Sequence, residues 1–134
     1  MFEGNFARDE NFDHALFNEM GSSPASMAAG KVVDAWGLQP GFVVEQADAE
    51  SAYTQTELKG TETWVRLPHE RWPKHWIGKY NDPVVKLRLA VYGHPDSGTY
   101  WEQHCDAALK GVGFVPIHES NWPSCYYHSE LKLV

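Results

Sequence analysis

Two helical patterns stand far apart in this chain, and everything between them is cut into short pieces by proline and glycine; that spacing constrains the fold most. The first pattern opens at Ser23, which can cap, and Pro24, which suits a first helical position. It continues through Met27, Ala28, Val32, Ala35 and Trp36, with Gly37 expected as a left-handed cap. The second is expected to start at Ser97 and run to about Val112, with Tyr100, Trp101, Cys105, Ala108, Leu109 and Val112 in one stripe and Gly113 stopping it. Between them, Phe42 to Asp48, Glu62 to Leu67 and Val84 to Leu89 are β-favourable, each only long enough for a short strand. Ala49 to Leu58 reads as a short helix or turn closed by Gly60, and Pro68 to Pro83 as a loop rich in Trp, His and Pro. Cys125 to His128 and Leu131 to Val134 flank Ser129-Glu130 as a terminal hairpin, while within the ragged opening Asn11 to Phe17 is the best candidate for a turn of helix. The expected class is α+β: a small antiparallel sheet packed on two main helices.

A length of 134 residues allows one modest domain with a single core. With 43% hydrophobic and 13% aromatic residues the chain is too apolar for a disordered tail, and no apolar run approaches the ~20 residues that span a bilayer. The first residues lack the basic-then-apolar order of a signal peptide. Two cysteines, Cys105 and Cys125, give no disulfide framework, so a reducing cytoplasmic or nuclear location is expected. Charge is segregated. Residues 1 to 62 carry three bases and eleven acids, residues 63 to 88 six bases and two acids, and the remainder two bases and five acids, making the net charge −7. One basic stretch in an acidic chain argues against tight, autonomous nucleic-acid binding.

Chemistry concentrates at Ala47-Asp48-Ala49-Glu50-Ser51-Ala52-Tyr53, where a carboxylate at an expected strand exit precedes an aromatic ring. Taken alone, the pattern reads first as a turn-capping Asp and a core Tyr. In context the run resembles the first polymerase motif of copia-type retrotransposon reverse transcriptases. The segment Val84-Val85-Lys86-Leu87-Arg88-Leu89-Ala90-Val91-Tyr92-Gly93 is similar to that family's next block, which ends in Leu-Tyr-Gly. Trp101, the helix around it, Gly113-Phe114 and Cys125-Tyr126-Tyr127 continue the similarity, which spans roughly residues 22 to 134.

The resemblance implies a partial fingers-and-palm domain of a right-hand polymerase over residues 22–134, with residues 1–21 a remnant of the fingers in which Phe2-Glu3-Gly4-Asn5 is the last trace of a strand. It implies two-metal phosphoryl transfer with Mg²⁺, a template-primer of RNA or DNA, and deoxynucleoside triphosphates as partners. Asp48 maps to the first metal-binding aspartate and the Ala49 carbonyl to its neighbouring ligand, oxygen donors suited to a hard cation. Tyr53 maps to the ring beneath the incoming sugar, where its bulk would exclude a 2′-hydroxyl, and Ala49 and Ala52 fall in the same nucleotide-binding motif. The sequence departs from the family in two places. Asp96 stands where a Gln usually supports the nucleotide, and the Tyr-x-Asp-Asp motif that supplies the other two carboxylates does not occur. Catalysis by this chain alone is therefore not expected.

Two other readings remain open: a non-catalytic remnant acting as an interaction module through a sheet edge and surplus aromatics, and a small domain binding single-stranded nucleic acid. In the second, Arg71, Lys74 and Lys79 would contact the strand beside Trp72, Trp76 and Tyr80, rings that core packing or a loop lock explains better than base stacking. His104-Cys105 and Cys125 with His128 lack the paired spacing of a zinc site.

Overall fold

The computed structural model describes residues 7–9, 11–15 and 22–134. Over those residues the chain is a small α+β protein with two α-helices and two antiparallel two-stranded sheets, in the order α1 (Met27–Gly37), β1 (Trp64–Arg66), β2 (Val84–Lys86), α2 (Ser97–Gly111), β3 (Val115–His118) and β4 (Trp122–Tyr127). The expected single sheet is thus two hairpins. Short 3₁₀ turns at Ala52–Gln55, His69–Arg71 and Lys74–Trp76 fill the connections. No described helix is long and apolar enough to cross a membrane.

α1 begins later than Ser23 and Pro24 suggest. Ser26 is its N-cap, extended at φ −69° and ψ 153°, and its Oγ accepts the Ala29 N–H at 3.1 Å, which satisfies one of the helix's free donors. Gly37 is the last helical residue and not a left-handed cap: Leu38 follows in right-handed geometry, and the reversal comes at Gly41, φ +90°. The expected strand Phe42 to Asp48 does not form. Its run of exposed residues, Val43 at 81%, has no partner strand among the described residues, and β-propensity without a ladder and a buried face leaves a chain irregular.

The β1–β2 hairpin pairs Trp64 with Lys86, Val65 with Val85 and Arg66 with Val84, and alternation turns Val65 and Val85 to the covered side. Arg66 Nε meets Asp82 Oδ1 at 2.9 Å and Lys86 pairs with Glu62, so each strand end carries an ion pair. The pairing extends below the hairpin: the Glu57–Leu89 bridge is flanked by the Leu58 N–H on Arg88 O (2.9 Å) and the Ala90 N–H on Thr56 O (3.0 Å). α2 is capped one residue earlier than expected. Asp96 is the N-cap, without a side-chain capping bond, and Ser97 is the first helical residue. Gly113, φ +99°, ends α2 as expected.

The terminal hairpin lies earlier than the sequence suggests. β3 and β4 pair at Val115–Tyr127, Pro116–Tyr126 and His118–Trp122, with a register shift that Ser124 absorbs at φ 56°. Pro116 and Pro123 can donate nothing to a ladder, which is why the pairing is irregular here. Leu131 to Val134 contributes only the His128–Leu133 bridge. At the start of the chain the expected helical turn is instead a tight loop: Arg8 bridges His14, and Asp9 Oδ1 accepts the N–H groups of Asn11 (2.8 Å) and Asp13 (3.0 Å). Leu16, Phe17 and the trace at Phe2 to Asn5 lie outside the described residues.

Burial is shallow. Among the described apolar side chains Ala29, Ala90, Tyr100 and Cys125 are buried, joined by the polar Thr56, His94, Ser97 and His128. The accessible surface is 10813 Å², against roughly 7,100 Å² for a compact monomer of this mass. Large apolar side chains contribute to it. Met27, Val32 and Trp36 on α1, and Leu38, Phe42, Val43 and Val44 after it, are all exposed. An apolar cleft of about 360 Å³, lined by Ala29, Val33, Leu109, Phe114 and Cys125, separates α1 from α2 and β4.

Candidate functional site

The segment that carries Asp48 leads into the 3₁₀ turn that carries Tyr53, and local hydrogen bonds make that turn. Ser51 reverses the chain at φ 54°, the Thr54 hydroxyl donates to Ser51 O (2.9 Å), and the Gln55 side-chain amide donates to Glu50 O (2.7 Å). Ala52 is the first residue of the turn and Tyr53 the second. From there the chain runs antiparallel to residues 87–90, and this brings the two segments quoted above against each other. The half-buried Tyr53 ring lies 4.6 Å from the ring of Tyr92, tilted by 40°.

A polar knot holds the loop on which the exposed Tyr92 stands. Ser97, fully buried, closes the loop over residues 91–97: its Oγ donates to Val91 O (2.8 Å) and accepts the Val91 N–H (3.1 Å). The buried His94 ring accepts the Asp96 N–H at Nδ1 (3.2 Å), which leaves the proton on Nε2 to donate to Thr63 Oγ1 (3.0 Å) and ties this loop to the β1 entry. Burial lowers the His94 pKa from its ordinary value; the Asp96 charge opposes that shift. Behind it Tyr100 is buried, and burial followed by the same Asp96 charge raises its phenol pKa. The Thr56 hydroxyl reaches Tyr100 O at 3.5 Å. Gly60, at φ +76°, passes so close that a Cβ there would lie 2.8 Å from the Tyr100 hydroxyl.

The sequence-derived residues fall into two groups. Tyr53, Ala52 and Asp96 belong to the assembly around Tyr92, His94 and Tyr100; Asp96 Oδ1 is buried there without a hydrogen-bond partner among the described residues. Asp48 and Ala49 stand on the exposed stretch before the turn, and Asp48 makes no hydrogen bond or ion pair with a described residue. Its carboxylate and the Ala49 carbonyl are oxygen donors of the kind a hard cation takes, but no group of three His, Cys, Asp or Glu converges among the described residues. Arg71, Lys74 and Lys79 lie apart from both, on the exposed loop at the far end of the β1–β2 hairpin.

A second cluster went unread in the sequence. Asp106 accepts the Tyr126 hydroxyl at Oδ1 (2.9 Å) and pairs through Oδ2 with Lys110 (3.0 Å), so the lysine hydrogen bond holds the carboxyl pKa down. Burial first, then the bond to Asp106, pushes the Tyr126 phenol up to about 12. These groups line a polar cleft of about 370 Å³ with Glu102, Glu119 and Trp122. The four-residue step from Asp106 to Lys110 was its one legible signal, since that spacing pairs charges on a helix. No family model, no curated protein and no solved structure matches the chain.

Proposed function

We propose that the chain is part of the fingers and palm of a copia-type reverse transcriptase, an RNA-directed DNA polymerase. In this reading Asp48 grips a metal, and Tyr53 forms the floor on which the incoming deoxynucleotide's sugar rests. One observation carries the reading: Tyr53 of the first run that resembles a polymerase motif and Tyr92 of the second, far apart in sequence, bring their rings together, and the ladder from Thr56–Ala90 to Leu58–Arg88 follows just after the first run.

The metal implied is Mg²⁺. Asp48 and the Ala49 carbonyl would hold it together with carboxylates from a further segment, and when bound it would activate the primer hydroxyl and neutralise charge on the leaving pyrophosphate. This chain's own residues do the positioning. The turn begun at Ser51 sets the Tyr53 ring, Tyr92 backs it, and Ser97 and His94 keep Tyr92's loop in place. In this reading the other two catalytic carboxylates belong to a Tyr-x-Asp-Asp motif, and primer extension by residues 1–134 alone is not expected.

Fusing a Tyr-x-Asp-Asp hairpin of a copia-type enzyme after Val134 should yield Mg²⁺-dependent primer extension on an RNA template that Asp48→Asn abolishes. A folded fusion whose extension Asp48→Asn leaves intact would remove the assignment. The large exposed apolar surface favours a second reading, a non-catalytic module that binds another protein. A fusion that folds and never extends a primer supports that reading.

A further inference from the structure

The connection between β1 and β2 carries three bases, Arg71, Lys74 and Lys79, and the candidate site makes no use of them. Of the bases flanking this connection, Arg66 is neutralised by Asp82 at the loop end of the hairpin and Lys86 by Glu62 at its open end. Arg71, Lys74 and Lys79 are exposed and form no ion pair with a described residue. Between Pro68 and Tyr80 the only acid is Glu70. The loop is also pre-shaped. Each of its two 3₁₀ turns follows a proline, Pro68 or Pro73; Trp72 Nε1–H donates to Leu67 O (2.9 Å); and the His69 ring lies 4.7 Å from Trp72. Trp76 meets the Tyr80 ring edge-on at 5.9 Å, and Lys79 Nζ lies 5.2 Å from the centre of that same tyrosine ring. With its rings locked onto one another, the loop presents three cations at little ordering cost on binding.

We infer that residues 68–80 form a docking surface for a nucleic-acid strand, with Arg71, Lys74 and Lys79 on its phosphates. A strand of regularly spaced phosphates matches several exposed cations on one rigid loop, and in a chain of net charge −7 this is where a polyanion is least repelled. A membrane surface fits less well, because insertion needs free aromatic side chains and Trp72 and Trp76 are half-buried and engaged. The ladder from Ala90 to Val84 sets the loop up to about 20 Å from the Tyr53–Tyr92 pair. The inference therefore stands apart from the polymerase reading, and its test contains neither metal nor nucleoside triphosphate.

The test is fluorescence anisotropy of a labelled single-stranded oligonucleotide titrated with the full chain across a range of NaCl concentrations. The logarithm of affinity should fall with the logarithm of salt at a slope of about −2, the value for three phosphate contacts on a single strand. The triple variant Arg71→Gln/Lys74→Gln/Lys79→Gln should weaken binding at least about tenfold at low salt and flatten the slope. Lys74→Gln alone should reduce the slope by about 0.7, and Lys31→Gln on α1 should leave it unchanged. Absence of binding at low salt, or an unaltered slope in the triple variant, overturns the inference. So does equal affinity for labelled polyglutamate or for vesicles of anionic lipid, since the surface would then take any polyanion.

Discussion

Tyr53 and Tyr92, separated by the whole β1–β2 hairpin in sequence, have ring centroids 4.6 Å apart at an interplanar angle of 40°. This contact couples the turn after Asp48 to the loop before α2. Such pairs contribute about 0.5–1.5 kcal/mol beyond area burial. In urea unfolding, Tyr53→Ala and Tyr92→Ala should each destabilise, with a coupling energy in that range from the double-mutant cycle. Strictly additive losses would show that the rings do not act on each other.

Gly60 is fixed by two constraints at once, a positive φ of 76° and the Tyr100 hydroxyl 2.8 Å from where a Cβ would sit. Gly60→Ala should cost about 1–3 kcal/mol of stability. Placing Gly60→Ala in a Tyr100→Phe background removes the clash and leaves only the backbone part. The alanine should therefore cost less there than in the parent, as denaturant midpoints would show. An equal cost in both backgrounds contradicts the close approach.

Burial holds the His94 pKa below 6.5 in the folded chain, so the unfolded chain takes up the proton first as pH falls. Stability attributable to His94 is thus fully present above pH 6.5 and declines below it until the folded state is protonated too. Protonation at Nδ1 would also turn the Asp96 N–H contact from an accepted bond into a repulsion. Unfolding measured at about pH 7.5 and about pH 5.5 should give a lower midpoint in acid. His94→Gln should reduce that difference; an unchanged pH dependence would place its origin at another histidine.

Much of the fold is legible where a local rule has no competitor. α2 and its Gly113 stop follow from one apolar stripe and one glycine, and the short strands β1 and β2 from two β-favourable runs, although their pairing with each other is visible only in the structure. The failures share a cause: a neighbour decides what the segment alone leaves open. Phe42 to Asp48 has strand composition but no partner strand among the described residues, so it stays irregular and Asp48 leaves no strand. Ser97 has the residue type and spacing of a cap for α2, yet both backbone groups of Val91 claim its hydroxyl, a pairing no spacing rule announces. Of the candidate site, Tyr53 and the block ending at Tyr92 can be read as separate motifs. That their rings meet, and that Tyr126 and Asp106 build a second polar cleft, depends on tertiary packing.

Tyr53 as the floor under a nucleotide's sugar is the central claim, and the most direct measurement is the ratio of ribonucleotide to deoxynucleotide incorporation by the fusion carrying a Tyr-x-Asp-Asp hairpin. Tyr53→Val should raise that ratio at least about tenfold, a loss of roughly 1.4 kcal/mol of discrimination, while Tyr53→Phe, which keeps the ring against Tyr92, should leave it unchanged. A ratio indifferent to the Tyr53→Val exchange in an active, folded fusion would contradict the claim.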